Sequence, residues 1–226
     1  MFLGDPYFIL LIPVMILAFY AQAKVKGNYT KYAKVANSTG TTGEEVARTI
    51  LQRNGLQDVK VLPVKGFLTD HYDPRIHEVH LSEDVFYGKS IASVAVAAHE
   101  CGHALQHATG YKPMLVRASI VPVANLGSWL AFPLFLAGLF FQMTGLMDLG
   151  IILFAAALVF HLVTLPVEYN ASSRAFAQLQ DGILPYDEEM KYAHKVLNAA
   201  ALTYVASTLM ALVQLVRLIL IRGSRD

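Results

Sequence analysis

The sequence predicts a mainly α fold, a four-helix transmembrane bundle with a small α+β part that carries an HExxH helix. Three observations lead there. The 226 residues are 55% hydrophobic and only 15% charged, which is too apolar for an ordinary soluble domain of this size. Four stretches are each long and apolar enough for a helix to cross about 30 Å of hydrocarbon. Between the first two lies a polar segment with helix caps, alternating apolar residues and turn chemistry.

The first apolar stretch runs from Pro6 to Ala23 without a charge. A small-x-small triplet at Ala21-Gln22-Ala23 resembles a signal-peptide cleavage site, but the leading "MFLGD" has no basic residue, so an anchor is expected instead. The second runs from Ala118 to Met147, with a turn expected at Thr144 and Gly145; the third is Leu149 to Val167 and the fourth Val196 to Val216. These give an anchor at 1–23, a polar α+β segment carrying the HExxH helix at 24–117, a transmembrane hairpin at 118–167, a helical segment at 168–195 and a last transmembrane helix with its tail at 196–226.

Charge near the span ends sets orientation. Lys24, Lys26, Lys31, Lys34, Lys112, Arg117, Arg174, Lys191 and Lys195 all fall on one side, which places both termini outside and the two larger loops in the cytoplasm. Arg217, Arg222 and Arg225 oppose that placement. The expected location is therefore the cell inner (plasma) membrane, multi-pass, with the lipid bilayer as a partner. A net charge of +1 without a clustered basic patch argues against nucleic acid as a partner. The single cysteine, Cys101, excludes an intrachain disulfide.

Within 24–117, Thr42 and Glu45 form a capping box for "EEVARTILQRNG", which Asn54 and Gly55 terminate. "DVKVLPV" and "IHEVHLSED" read as two strands, with a turn at Asp73-Pro74 between them. The second is a candidate edge for an extended peptide, with His77 and His80 as surface residues. Ser90 or Ser93 then caps a helix that runs to about His107 and stops at Gly110.

That helix carries His99-Glu100-Cys101-Gly102-His103. Residues four apart share a helix face about 5–6 Å apart at Cβ, so two imidazoles can reach one Zn²⁺ while the intervening Glu100 sits where it can take a proton from water. A catalytic zinc needs a third protein ligand. His107 would lie about 12 Å along the axis from His99, too far for the same ion, and reads as a hydrogen-bonding residue at the helix end. Gln106 and Thr109 stand where a metzincin needs Gly and His, which excludes that class. Glu168, just after Pro166 in "LPVEYNASSRAFAQLQDG", is the better candidate; its alternative reading is an interfacial carboxylate that merely ends a span. Cys101 reads as a small packing residue, and His161 as a polar packing contact inside the third span. Asp70, His71 and Asp73 in "LTDHYDP" fit a metal site or a tight turn about equally.

"LTDHYDP", "VHLSEDVFYGKSIASVAVAAHECGHALQHATGY" and "LPVEYNASSRA" together resemble the bacterial YugP-like family of neutral zinc metallopeptidases, similar in pattern to the heat-shock membrane protease and CAAX prenyl endopeptidase group. The resemblance covers nearly the whole chain. It implies a zincin-like cytoplasmic part and a gluzincin site in which His99 and His103 bind one zinc ion, Glu168 is the third ligand and Glu100 the catalytic acid/base. The prenyl endopeptidase group has an Asp four residues after the third ligand, whereas this chain has Ser172; Asn170 or Ser172 is left to orient a ligand histidine.

The function that follows is hydrolysis of peptide bonds in a peptide or membrane-protein substrate. For the charge that develops on the tetrahedral intermediate, Arg174, His194, Tyr186 and Tyr192 are candidate donors, with Arg174 favoured; its other reading is a positive-inside anchor. Three rival readings stand beside this one. A site-2-type intramembrane protease would use Asp181 of "LQDG" as the third ligand. A zinc transporter, or a scaffold with structural zinc, would have no use for Glu100 as an acid/base.

Overall fold

The computed structural model describes residues 6–224; Arg225, counted above among the flanking charges, lies outside them. Four long helices account for the apolar stretches. A 3-10 turn at Pro6–Leu10 leads into α1 (Leu11–Tyr32). The others are α5 (Lys112–Phe141), α6 (Thr144–Gln180) and α7 (Asp187–Gly223). Each is long and apolar enough to cross a membrane. Their ends differ from those expected because hydropathy marks where lipid is favourable, whereas a helix continues while each N–H finds the carbonyl four residues back. So α1 continues nine residues past Ala23 into lysine-rich sequence, α6 runs through Pro166 to Gln180, and α7 starts nine residues before Val196 with Asp187, Glu188 and Glu189 in its first turn. Negative charge there suits the helix N-terminus.

The break between the second and third apolar stretches is also earlier than expected. Gln142 takes a left-handed conformation (φ 58°) and the Met143 N–H reaches back to the Gly138 carbonyl at 2.8 Å, which closes α5 in a Schellman-type end. Thr144 and Gly145, expected to turn, are already the start of α6.

The chain divides into two compact units. One is built from the stretch ending at Gln22, Leu115–Pro166 and the stretch beginning at Leu202. Phe135, Met147 and Leu218 form its buried cluster. Glycines allow α5 and α6 to approach closely: a Cβ on Gly150 would lie 2.7 Å from the Ala131 carbonyl oxygen, and one on Gly127 2.8 Å from that of Leu153. Arg222 Nε donates to Asp148 Oδ1 at 2.8 Å. Large apolar side chains such as Trp129, Phe140 and Ile152 are exposed, as lipid-facing positions of a span would be. His161 borders a shallow groove with Ala18, Phe154, Ser207 and Gln214, and its ring meets Phe160 edge-on, in keeping with a packing contact.

The second unit comprises Ala23–Met114 and Val167–Ala201. Helix α2 (Gly43–Arg53) begins with the expected capping box, Thr42 accepting from the Glu45 N–H and Glu45 accepting from the Thr42 N–H, and it gives way to Gly55 at φ 74°. Three strands follow: β1 (Lys60–Val64), β2 (His71–Asp73) and β3 (Glu78–Ser82). Their order is β1-β3-β2, with β1 parallel and β2 antiparallel to β3. The strand expected to offer a free edge, "IHEVHL", is therefore the central one, and the edges are β1 and β2. Pro63 is tolerated because β1 is an edge strand of this sheet among the described residues. β2 escaped the sequence reading because three residues are too few to show alternation.

A short helix α3 (Glu83–Phe86) precedes α4 (Ile91–Ala108), whose N-cap is Ser90, accepting from the Ser93 N–H at 3.1 Å, and which ends before Gly110 at φ 60°. The core of this unit gathers Ile50 and Leu51 of α2, Val61, Val79 and Leu81 of the sheet, Val94, Ala98 and Cys101 of α4, and Leu179 and Leu197 from α6 and α7. Buried Glu189 of α7 accepts from the Ser38 N–H and hydroxyl, at 2.6 and 2.9 Å.

Candidate metal centre

Helix α4 is the most buried helix of the second unit, and its alanines and valines are the reason. Small residues let it lie against neighbours on several sides, and Gly102 allows the nearest approach: a Cβ there would collide with the backbone carbonyl of Ala171 on α6. That contact brings the face of α4 bearing His99 and His103 against the turn of α6 bearing Glu168.

The resulting geometry is compact. Glu168 Oε2 lies 3.3 Å from His99 Nε2 and 3.6 Å from His103 Nε2, and the two imidazoles stand nearly perpendicular, 4.9 Å apart at their centroids. Ligand atoms about 2.0–2.2 Å from a tetrahedral zinc are separated by about 3.4 Å along each edge, so this spacing suits one ion. Among the described residues, His99, His103 and Glu168 are the group of metal-ligating side chains whose ligand atoms converge in this way.

Each histidine is held at its other nitrogen. The Ser172 hydroxyl lies 3.2 Å from His99 Nδ1, and Gln106 Oε1 lies 3.0 Å from His103 Nδ1. Both Nε2 atoms are thereby turned towards Glu168, as metal-ligating histidines require. A carboxylate as buried as Glu168, 3% exposed, is costly unless paired, and the two imidazoles supply that pairing here. The donor set, two imidazole nitrogens and one carboxylate oxygen with supported rings, fits zinc.

Glu100 sits on the same helix between the two histidines and is buried. Burial holds its carboxyl above the usual carboxylate range, against the pull of His99 and His103, which would lower it.

The remaining polar residues are engaged elsewhere. Tyr72 and His107 Nδ1 share a hydrogen bond of 2.8 Å, so His107 ends the helix as a hydrogen-bonding residue. Cys101 is fully buried beside the Ala47 carbonyl, and burial pushes its thiol up, away from thiolate chemistry. Asp70, His71 and Asp73 do not converge. Asp70 accepts from the Ser82 N–H and hydroxyl, Asp73 pairs with Arg75, and His71 stacks on His80. Asp181 pairs with Arg53 at 3.7 Å. Of the expected donors, His194 stacks on Phe176, Tyr192 bonds to Glu188 and Tyr186 is exposed. The Arg174 Nε donates to Asn170 Oδ1 at 2.9 Å and its Nη1 to the Leu105 carbonyl at 3.4 Å. In the sequence Gln106 stands out only as a mismatch to the metzincin pattern. Its position three residues after His103, on the same helix face, is the signal that could have singled it out.

Comparison with known proteins agrees in kind. Residues 7–223 match a family model described as "Putative neutral zinc metallopeptidase". A protein of Bacillus subtilis (strain 168), named "Putative membrane protease YugP", is 51% identical over 216 residues, covering 95% of this chain and 96% of that one. No solved structure matches.

Proposed function

Given that the chain belongs to the neutral zinc metallopeptidase family, we propose that it is a membrane-bound zinc endopeptidase of the gluzincin type, with one catalytic ion on His99, His103 and Glu168 and with Glu100 as general acid/base. The observation that carries this reading is the approach of both Nε2 atoms to Glu168 Oε2, at 3.3 and 3.6 Å, close to the edge length of a tetrahedral zinc site. When bound, zinc supplies a water acidified towards neutral pKa and polarises the scissile carbonyl. The chain's own residues do the rest. Ser172 and Gln106 keep the imidazoles aimed, and the Glu100 carboxylate accepts the proton of the attacking water and passes it to the leaving amine. The buried surroundings of α4 exclude bulk water and strengthen each of these interactions.

The outer edge of β2 is where an extended peptide would add a strand, since β3 is already paired on both sides. The lysines that follow the first apolar stretch, together with Lys191 and Lys195, support a cytoplasmic site in the inner membrane. A site-2-type arrangement has no comparable support, because Asp181 pairs with Arg53. Transport and structural zinc binding are separated from hydrolysis by Glu100→Gln. That variant is expected to keep zinc and lose cleavage of a casein-like or membrane-protein substrate; full activity in it would sink the proposal.

A further inference from the structure

Both nitrogens of an imidazole can bind zinc, and the one that does is set by what the other touches. At His103 the partner is an amide, Gln106, which is completely buried. An amide can present either its oxygen or its NH₂, so something must decide which end faces the ring.

The surroundings of Gln106 decide it twice over. Its Nε2 donates to the Val167 carbonyl at 2.7 Å and to Asn170 Oδ1 at 3.1 Å. The Val167 oxygen only accepts. Asn170 could in principle turn its NH₂ to Gln106 instead, but the Arg174 Nε also donates to Asn170 Oδ1 at 2.9 Å, and a guanidinium has no acceptor. Arg174 thus fixes an oxygen at that point. Its own place is set by the Leu105 carbonyl at 3.4 Å and by the Tyr111 ring, 6.0 Å from Cζ. With both Gln106 hydrogens directed at acceptors, its Oε1 faces His103 Nδ1, which must carry the proton and leave the Nε2 lone pair towards Glu168.

We propose that Gln106 is a positioning residue for the ligand His103, and that Arg174 acts through Asn170 to hold Gln106 with its oxygen towards the imidazole. This rests on the zinc reading above and gives Arg174 a different part from the oxyanion donation expected from sequence. Tuning partners of this kind commonly alter metal affinity by about 10–100-fold.

The test measures zinc affinity of the purified full chain by competition with a chelator, with the visible spectrum of the Co²⁺-loaded protein as a readout of ligand geometry. Gln106→Met keeps the bulk and removes the acceptor, and is expected to weaken zinc by about tenfold or more and to alter the Co²⁺ spectrum. Arg174→Ala is expected to weaken it in the same direction. Arg174→Lys still only donates but gives up the fork that also reaches the Leu105 carbonyl, so it should fall between wild type and Arg174→Ala. Adding Asn170→Asp to Arg174→Ala should recover affinity, because a carboxylate offers Gln106 an acceptor whether or not an arginine is present. Arg174 is only partly buried, so its variants carry the test if Gln106→Met does not fold. Wild-type affinity in Arg174→Ala with lowered turnover that Asn170→Asp does not restore would overturn the proposal in favour of an oxyanion donor. Wild-type affinity in Gln106→Met would overturn it outright. A wild-type chain that binds no zinc would instead remove the reading on which it rests.

Discussion

An alanine at position 102 would drive a methyl group into the Ala171 carbonyl, and the consequences for stability and for the metal centre can be separated. Within a helix, Gly→Ala gains about 1 kcal/mol of intrinsic propensity. Overpacking takes back about 1–3 kcal/mol, so the net loss is about 0–2 kcal/mol. For a chain of this length that lowers Tm by at most about 8 °C. The site is far less tolerant. Relieving the clash means restoring a carbon–oxygen contact of about 3.3 Å, which opens α4 from α6 by a distance on the order of 1 Å. The spacings of 3.3 and 3.6 Å between Glu168 Oε2 and the two Nε2 atoms would stretch accordingly. Zinc sites accept only about 0.2 Å of error in ligand distance, so Gly102→Ala should lose zinc affinity by at least about tenfold while the fold survives. Thermal unfolding of the metal-free protein beside chelator competition measures both. Wild-type zinc affinity in a folded Gly102→Ala variant would refute the claim that this contact sets the distance between the ligands.

Other outcomes follow from the same structure. Ser172→Ala removes the partner of His99 Nδ1 and should weaken zinc about tenfold in the same competition assay, whereas Ser172→Asp, which offers a stronger acceptor, should not weaken it. Thr42→Ala breaks the capping box of α2 and should cost about 1 kcal/mol in thermal unfolding with no change in zinc affinity. Burial raises the Asp70 carboxyl above its ordinary value. A carboxyl raised in the folded state favours folding most when protonated, so its contribution is full below the unfolded value near about 4 and falls as pH rises through the folded value. Asp70→Asn keeps an acceptor for Ser82 and should flatten this part of the pH dependence above about pH 4, as read from Tm.

The parts legible in the sequence were those governed by local rules. The capping box at Thr42, the αL glycines at 55 and 110 and the four apolar stretches each have a cause within a few residues. His99, Glu100 and His103 were legible because four-residue spacing on a helix is itself geometry. Glu168 needed a long-range pairing that no local pattern encodes; it was nominated by its place after a span and by the family resemblance. Ser172 was one of two residues the resemblance left to orient a ligand histidine, and it is the one beside His99 Nδ1; that Gln106 does the same for His103 was not read, since which nitrogen each touches depends on how closely α4 seats on α6 at Gly102. The central place of β3 was misjudged because β2 is too short to announce itself.

The central claim is that two helices far apart in sequence close one zinc site, and metal analysis of three purified chains tests it most directly. Wild type and Asp181→Ala should each carry one zinc ion per chain, and Glu168→Ala should have lost it. Zinc retained in Glu168→Ala and lost in Asp181→Ala would contradict the account.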